Sequence, residues 1–547
     1  MVTEPIKRPA ENEHLLMGDE AVALGAVHAG LTAAYAYPGT PSTEAFEFLL
    51  CYAQRHGHPH ASWCANEKTA YEQALGVSMV GRRSLVVMKH VGLNVAADPF
   101  INSAIVSVHG GLVLVVADDP GMHSSQNEQD SRFYADFARI VCLEPANQQE
   151  AYEMTREAFE ISERFQIPVL LRLVTRLAHS RSIVRASQSQ AEKPLDKARD
   201  PSSWTLLPAN ARKLWRRLLD LQPALERLSE DSPFNALELS DVDMGLGVIT
   251  TGIARGYLRQ NLPDLGFMPS RLHLGAYPIP RALVRALAQK CDRILVLEEG
   301  YPLVERGLRG LLPEALPIAG KESGEVPLAG ELTPESVRQA LGLPPTSTPT
   351  LAGVATGLPP RPPQLCPGCP HRDSYDALKE ALDGYELSIV NADIGCYTLG
   401  AAPPYQAIES CVCMGAAVGM AKGAADAGLH PVVAVIGDST FLHSGVTPLI
   451  DAVAADTDMT LMILDNEAVG MTGAQHTVLP SSRIEPVVLG LGVDPDHCHV
   501  VEARPNKVGE LAEVLRRELE HRGLSVVIPV RECIEHVRRR KSEAKAR

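Results

Sequence analysis

Short runs of β-branched and aliphatic residues recur along the chain and alternate with segments of helical periodicity. Three of these runs are Leu85–Met88, Leu112–Ala117 and Val169–Arg172. Between the second and the third, apolar side chains recur at helical spacing, at Ala151, Met154, Ala158, Ile161 and Phe165. Continuous apolar runs of this length are typical of strands buried on both faces, in parallel sheets whose crossovers are helices. The pattern therefore predicts an α/β fold.

The length of the chain, 547 residues, is too great for one hydrophobic core and predicts several domains. Further strands are expected at 247–250, 293–297, 432–436, 461–464 and 525–528. A polar stretch near residue 186 and a segment rich in Pro, Gly, Ser and Thr before residue 366 are typical of linkers. We expect five parts: a first α/β domain at 1–185, a connector at 186–245, a middle α/β domain at 246–330, a Pro-rich linker at 331–365 and a last domain at 366–547.

The charge and the termini exclude some classes of protein. A formal net charge of −15 argues against nonspecific binding of nucleic acid, which needs a basic surface. No apolar signal segment opens the chain, and no apolar stretch of about 18 residues could span a bilayer. We expect a cytoplasmic protein with no membrane span, in which paired cysteines serve metal or redox chemistry rather than disulfides. The basic residues from Arg538 to the end are expected to form a solvated, frayed tail.

A C-x-x-C pair stands at Cys366 and Cys369, among eleven cysteines. Two thiolates on one tight turn suit zinc, an iron–sulfur cluster or dithiol redox chemistry. The chain contains no second C-x-x-C, so further ligands must come from isolated cysteines. These residues alone leave the three chemistries open.

Polar residues follow two of the expected strands directly. Gly437, Asp438 and Ser439 come after the run ending at Ile436, and Asp465 and Asn466 come after the run ending at Leu464. Open α/β sheets bind ligands at the carboxyl ends of their strands. A carboxylate and an amide oxygen are hard ligands that suit Mg²⁺ held against a diphosphate. The alternative is two independent turns that use Asp and Asn for their backbone preferences.

Glu67 in the first domain stands at the start of a predicted helix. The segment from Asn66 to Tyr71 opens a helical pattern and follows a Pro-Gly-Thr-Pro loop at residues 38–41. A first-turn glutamate favoured by the helix dipole is the ordinary interpretation.

These motifs together resemble one family, the thiamine-dependent 2-oxoacid:acceptor oxidoreductases, and within it the alpha subunit of indolepyruvate oxidoreductase. Asn466 follows Asp438 by 28 residues, as in the thiamine diphosphate motif, although Ser439 replaces a frequent second glycine. The resemblance covers nearly the whole chain and rests on residues 37–44, 66–68, 88–94, 117–126, 366–372, 393–400, 413–415, 437–445, 465–466 and 471–473. It implies parallel-sheet pyrimidine-binding (1–185) and diphosphate-binding (366–547) domains, with a middle domain like the transketolase C-terminal domain.

The resemblance also implies roles for individual residues. Side chains of Asp438 and Asn466 and the carbonyl of Ala468 would hold Mg²⁺, and Glu67 would act on the cofactor's aminopyrimidine ring. Thr40 would lie near the substrate; its alternative role is that of a turn residue. Gly437, Ser439, Met414 and Gly415 would contact thiamine diphosphate. Four cysteines would ligate a [4Fe–4S] cluster, with zinc as the alternative metal: Cys366, Cys369, Cys396 and Cys533.

The activity that the resemblance implies is oxidative decarboxylation of an aryl 2-oxoacid such as indolepyruvate, with coenzyme A as acyl acceptor. A smaller partner subunit and a dimer of heterodimers are expected. The chain ends 14 residues after Cys533, before the ferredoxin-like domain with two further clusters that the family usually carries. Electrons would therefore leave for an external carrier. Two alternatives stay open: a non-oxidative thiamine decarboxylase or lyase with a structural metal, and a regulatory subunit with a degenerate site.

Overall fold

The computed structural model describes residues 12–241, 245–346 and 363–546, and the side chains only as far as residue 541 in the last range. Contacts divide the chain into two compact units, with the division between residues 349 and 350. The expected α/β fold with parallel sheets is confirmed in both units. The predicted Pro-rich linker is described only in part, since residues 347–362 lie outside the described ranges.

A seven-stranded sheet forms the centre of the first unit. Its strands are parallel except for the first in space, which is antiparallel to its neighbour. The spatial order is Ala276–Tyr277, Cys142–Leu143, Val169–Val174, Leu112–Asp118, Ser84–Lys89, Ala33–Ala36 and His60–Trp63. The apolar runs that predicted three of these strands are buried along their full length, as the pattern requires.

Helices cover this sheet. The helix Gln148–Phe165 contains the apolar residues whose spacing predicted it. Asn147 caps it, with its Oδ1 atom accepting a hydrogen bond from the Glu150 amide at 3.0 Å. The apolar side chains at helical spacing are buried in the core. The other helices are Gly18–His28, Thr43–His56, Glu67–Met79, His90–Val95, Ala97–Ser103, Arg132–Ala138 and Thr175–His179. An antiparallel ribbon joins Glu13–Met17 to Arg181–Arg185.

The segment 186–245, predicted as a connector, contains the helix Pro208–Glu230. Leu218 and Leu225 of this helix are buried in the core of the first unit. A five-stranded sheet follows, in the order Ile318–Ala319, Arg293–Leu297, Leu246–Thr251, Ser270–Leu274 and Ala236–Glu238, with only the last strand antiparallel. Its helices are Ala254–Asn261, Arg281–Ala288, Leu303–Arg309 and Pro334–Ala340.

A buried ion pair joins the middle sheet to the first domain, beside two pairs that lie within the first domain. Arg172 Nη1 lies 2.5 Å from Glu144 and its Nε 2.6 Å from Asp118, while Arg132 Nη2 lies 3.1 Å from Glu298. Both guanidinium groups are fully buried, and burial of a charge is tolerated only with such partners. The pair of Arg132 with Glu298 and a 3.0 Å hydrogen bond from Arg172 Nη2 to the Glu299 carbonyl join residues 246–330 to residues 12–185, which belong to one compact unit.

The second unit is built on a six-stranded sheet whose strands are all parallel. The spatial order is Ser410–Cys411, Ile389–Ala392, Val432–Gly437, Met459–Leu464, Leu524–Val530 and Cys498–Glu502. A short antiparallel ribbon pairs Ala468–Val469 with Gln475–His476. The helices are Pro370–Leu382, Ala416–Asp426, Asp438–Thr440, Val446–Ala454, Ile484–Gly490, Val508–Glu520 and Ile534–Ala546, with a π-helix at Phe441–Gly445.

The last helix corrects one expectation. The basic residues from Arg538 onward were expected to be a solvated, frayed tail; Arg538, Arg539 and Arg540 are exposed, but Ile534–Ala546 is helical. Ion pairs between Arg538 and Glu535 and between Arg540 and Glu532 stabilise this helix modestly. In the described parts of the chain, no helix combines the length and the apolar character that crossing a bilayer requires.

Candidate active site

Two neighbouring parallel strands of the second unit end side by side and place the candidate metal ligands together. Gly437 and Leu464 are paired in the sheet, so the residues that follow them, Asp438 and Asp465, leave the same edge. Both carboxylates and the Asn466 side chain are almost fully buried. The predicted position of Asp438 and Asn466 at the carboxyl ends of parallel strands is thus confirmed.

Electrostatics distinguish this edge from a pair of ordinary turns. Burial, and then the charge of Asp465, raise the pKa of Asp438 well above its usual range. Asp465 Oδ1 accepts hydrogen bonds from Ser481 Oγ at 2.6 Å and from the Glu467 amide at 3.2 Å. The Oδ2 atoms of both aspartates are buried and have no hydrogen-bond partner among the described residues. Two buried carboxylates with unpartnered oxygens fit a hard divalent cation such as Mg²⁺.

The Asn466 side chain is held from both ends. Its Oδ1 atom accepts from the Ala468 amide at 3.1 Å, and its Nδ2 atom lies 3.0 Å from Nε2 of His371. Burial, and then the charge of Arg531, lower the pKa of His371 to about 4, so the ring is neutral at pH 7 and can accept from the amide. His371 therefore fixes the orientation of a candidate metal ligand.

Glycines at two candidate cofactor positions are required by close packing. A Cβ atom on Gly437 would lie 2.6 Å from the Tyr397 ring, and one on Gly415 would lie 2.4 Å from the Ser444 Cβ atom. Gly415 also has a φ of +85°, which disfavours any other residue. It caps the helix Ala416–Asp426, and the neighbouring candidates Met414 and Ser439 are partly buried.

A buried carboxyl group to which the 393–400 motif assigned no role lies under this edge. Asp393 accepts a hydrogen bond from the Tyr397 hydroxyl and another from the Ala417 amide at 3.3 Å. Burial raises the pKa of Asp393 to about 7 despite these donors. Since Tyr397 also contacts Gly437, the pair supports the strand end that carries Asp438.

The four cysteines predicted as ligands come from separate elements of the second unit. Cys366 and Cys369 form a turn closed by a 3.0 Å hydrogen bond from the Cys369 amide, and the helix Pro370–Leu382 follows. Cys396 begins a 3₁₀ segment after the strand Ile389–Ala392, and Cys533 follows the strand Leu524–Val530.

The thiols are close enough to influence one another. Burial, followed by the charges of Cys533, Cys369 and Cys366, raises the pKa of Cys396 to about 12. Burial also raises the pKa of Cys369 to about 11, and the charges of Cys366 and Cys533 add to this effect. Thiols in such surroundings become thiolates only beside a positive metal centre, so the donor set fits a metal or cluster. Among the described residues, no three of these sulfur atoms lie within 4.8 Å of one another.

The cysteines also contact the candidate magnesium site. The Cys533 amide donates to the Asn466 carbonyl at 2.9 Å. A Cβ atom on Gly470, two residues beyond Ala468, would lie 2.9 Å from the Cys396 sulfur. The charge of Asp438 is a further cause of the raised pKa of Cys396. One edge of the second unit therefore brings the two groups of ligands together.

In the first unit, Glu67 is a buried residue rather than a solvated first-turn glutamate. It opens the helix Glu67–Met79, which Asn66 caps through its Oδ1 atom and the Thr69 amide at 2.9 Å. A Cβ atom on Gly92 would lie 2.6 Å from Glu67 Oε1, so the glycine of the 88–94 motif makes room for the carboxylate.

Thr40 lies in the loop between the strand Ala33–Ala36 and the helix Thr43–His56. Its carbonyl accepts a hydrogen bond from Ser124 Oγ at 3.3 Å. The histidine of the 88–94 motif, His90, is buried with its Nε2 atom 3.2 Å from the Asn127 carbonyl, and burial lowers its pKa.

Comparison with known families agrees with this architecture. Residues 24–213 match the model for "Pyruvate flavodoxin/ferredoxin oxidoreductase, thiamine diP-bdg". Residues 393–528 match "Thiamine pyrophosphate enzyme, C-terminal TPP binding domain". The 2-oxoglutarate:ferredoxin oxidoreductase of Magnetococcus marinus has a similar fold, with a TM-score of 0.51 at 17% identity over 61% of this chain and 67% of that one.

The fold and the thiamine diphosphate domains together define a thiamine diphosphate-dependent 2-oxoacid oxidoreductase. Indolepyruvate oxidoreductase subunit IorA of Archaeoglobus fulgidus is 38% identical over 96% of this chain and 88% of its own length. The subunit of the same name in Methanothermobacter thermautotrophicus is 38% identical over 98% of this chain and 89% of its own. The chain belongs to the family of indolepyruvate oxidoreductase subunit IorA.

Proposed function

We propose that this chain catalyses the oxidative decarboxylation of aryl 2-oxoacids of the indolepyruvate type. The products are the acyl-coenzyme A and CO₂, and two electrons pass through a [4Fe–4S] cluster to an external acceptor. Relatives named for indolepyruvate support the substrate class. Coenzyme A is proposed because the similar structure from Magnetococcus marinus is described with coenzyme A and succinyl-CoA bound.

Thiamine diphosphate, when bound, supplies the electron sink that makes loss of CO₂ from a 2-oxoacid possible. The carboxylates of Asp438 and Asp465, the Asn466 side chain and the Ala468 carbonyl are the groups we assign to Mg²⁺. The unpartnered Oδ2 atoms of the two aspartates support this assignment. Glu67, buried behind Gly92, is assigned to hold a proton at the aminopyrimidine ring.

The single observation that carries the redox part is the convergence of Cys366, Cys369, Cys396 and Cys533 beside the candidate magnesium ligands. Tetrahedral zinc with bonds of about 2.3 Å would bring its sulfur ligands to about 3.8 Å from one another. Any three of these sulfurs in the described residues include at least one pair more than 4.8 Å apart, which is wider than a zinc site allows. A cubane, in which each thiolate binds a different iron, suits the wider spacing and favours oxidation over the non-oxidative alternative.

A second subunit completes the proposed enzyme, because the related chains are themselves named as subunits. We propose a dimer of heterodimers in the cytoplasm. The electron acceptor is proposed to be a separate carrier protein.

Metal analysis and an activity assay test the proposal together. The chain, purified anaerobically with its second subunit, should contain about four irons for each thiamine site. It should reduce a one-electron dye only when an aryl 2-oxoacid, coenzyme A, thiamine diphosphate and Mg²⁺ are all present. Zinc in place of iron, with release of CO₂ and aldehyde and no dye reduction, would favour the non-oxidative lyase instead.

A further inference from the structure

Lys89 is a buried lysine at the carboxyl end of a central strand, and the proposed mechanism does not use it. It ends the strand Ser84–Lys89 and directly precedes the helix His90–Val95. Only 7% of the residue is exposed. Lysine is rarely buried without a charged partner, so a buried lysine indicates a role beyond packing.

In the described ranges of the chain, the close partner of the Lys89 ammonium group is neutral. Nζ donates to the Ser124 carbonyl at 2.7 Å, and the Ser124 hydroxyl lies 3.5 Å away. Among the described residues, no carboxylate oxygen lies within ion-pair distance of this Nζ atom. An ammonium group has three donors, so Lys89 retains the capacity to bind an anion.

Asp119 is the charged group that faces Lys89, yet neutral donors surround its carboxylate. It accepts from the Ser124 amide at 2.8 Å, from Ser125 Oγ at 2.5 Å and from Thr175 Oγ1 at 2.8 Å. The positive charge of Lys89 is therefore not neutralised by a direct contact. Burial lowers the pKa of Lys89 to about 8, and the charge of Asp119 only partly opposes this effect.

Lys89 also lies against the loop that carries Thr40. A Cβ atom on Gly39 would be 3.1 Å from the Lys89 Cβ atom, so the loop passes directly over the lysine. Ser124 joins the two, because it accepts from Lys89 and its hydroxyl donates to the Thr40 carbonyl at 3.3 Å. Gly92, which makes room for Glu67, lies three residues further along the same segment.

We propose that Lys89 binds the carboxylate of the 2-oxoacid substrate and so selects an α-keto acid over a neutral carbonyl compound. This inference rests on the function proposed above and adds the residue that recognises the anionic end of the substrate. A desolvated ammonium group beside the Thr40 loop and the Glu67 segment gains a directly bonded anionic partner when a carboxylate of this kind enters.

Lys321 offers a matched control within the same unit. It is also buried, its pKa is also lowered by burial, and its Nζ atom also donates to a carbonyl, that of Pro327 at 2.7 Å. Unlike Lys89, it follows a strand of the middle sheet, Ile318–Ala319, and is faced by Glu298, Glu128 and Glu299.

The test compares Lys89→Met, Lys89→Arg and Lys321→Met in the complex with the second subunit. Lys89→Met should raise the KM for the aryl 2-oxoacid by at least about 30-fold, the loss expected for one partner of a desolvated charge pair. Its thermal stabilisation by thiamine diphosphate with Mg²⁺ should match that of the wild type. Lys321→Met should leave KM within about threefold of the wild-type value, as expected of a residue outside the site.

The pH dependence of kcat/KM shows whether substrate binding requires the charge of the Lys89 side chain or only its shape. In the wild type, kcat/KM for the 2-oxoacid should fall as pH rises through about 8, because the Lys89 ammonium group is lost. Lys89→Arg should keep its activity above this pH, since arginine stays charged. His90, the adjacent titratable group, has a lowered pKa and is already neutral in this range.

Three results would overturn the assignment. A KM within about threefold of the wild type in Lys89→Met would show that the lysine does not bind substrate. Loss of stabilisation by thiamine diphosphate in that variant would place Lys89 at the cofactor instead. A wild-type complex that oxidises no 2-oxoacid would refute the proposed function itself, and the Lys89 assignment with it. Failure of the Lys89 assignment alone would instead leave the wild-type complex active.

Discussion

Replacement of Asp438 by Asn should affect the protein in opposite directions with and without cofactor. The wild-type structure places two carboxylates, those of Asp438 and Asp465, in a buried position with unpartnered oxygens. Burial, and then repulsion by the Asp465 charge, raises the pKa of Asp438, so the charged form of this carboxyl group is disfavoured until a cation enters. Asparagine has nearly the same shape and removes one of the two charges.

The magnitude follows from the cost of a buried oxygen without a partner, which is about 1–3 kcal/mol, because the new amide can donate to the unpartnered Oδ2 atom of Asp465. Without cofactor, Asp438→Asn should therefore stabilise the second unit by about this amount, or about 2–4 °C in Tm for each kcal/mol at this size. In the wild type, thiamine diphosphate with Mg²⁺ at one hundred times Kd should add about 2.7 kcal/mol. The variant should lose this increment because the cation lacks a charged ligand.

Thermal unfolding at pH 7, followed with and without thiamine diphosphate and Mg²⁺, measures both effects. Asp426→Asn is the matched control, since this aspartate lies on the surface of the same unit and pairs with Lys422. A cofactor-free Asp438→Asn protein less stable than the wild type would refute the reasoning. So would a variant that keeps the full cofactor-dependent rise in Tm.

The same site predicts the pH dependence of the cofactor-free protein. Because the folded-state pKa of Asp438 is raised above its ordinary value near 3.8, the folded protein holds a proton that the unfolded chain has released. The corresponding stability is fully present below that ordinary value and is lost as pH rises toward the folded-state pKa. Asp438→Asn should abolish this part of the pH dependence.

Three further substitutions test other contacts. Gly92→Ala should displace the Glu67 carboxylate, 2.6 Å from the added Cβ atom, and lower kcat by about 10²-fold or more with the fold intact by circular dichroism. His371→Ala should weaken thiamine diphosphate binding in the presence of Mg²⁺ about 10- to 100-fold, because Asn466 loses its 3.0 Å partner; equilibrium titration measures this loss. Cys396→Ser should lower the iron content of the anaerobic protein while thiamine diphosphate still stabilises it, and an unchanged iron content would exclude Cys396 as a ligand.

The sequence predicted much of the second unit because its signals are local. Apolar runs predicted the strands, and the parallel arrangement placed the residues after Ile436 and after Leu464 at one edge. Because Asp438 and Asn466 each follow the end of one of these neighbouring parallel strands, the sequence was enough to predict that they lie close together. The roles assigned to these residues and to the cysteines stay predictions that the experiments above address.

Contacts between distant segments could not be predicted from the sequence. His371 lies 95 positions before Asn466, and only the fold brings its ring to the amide. The role of Asp465 depends on an oxygen left without a partner, which spacing does not reveal. The buried pairing of Arg132 with Glu298 joins the middle sheet to the first sheet through residues far apart on the chain.

A single-turnover experiment tests the central claim most directly. The anaerobic complex is mixed with an aryl 2-oxoacid and coenzyme A, and released CO₂ and the visible absorbance of the cluster are followed together. We expect reduction of the cluster to accompany CO₂ release, and both to require thiamine diphosphate and Mg²⁺. Release of CO₂ with free aldehyde and no change in the cluster would contradict the account.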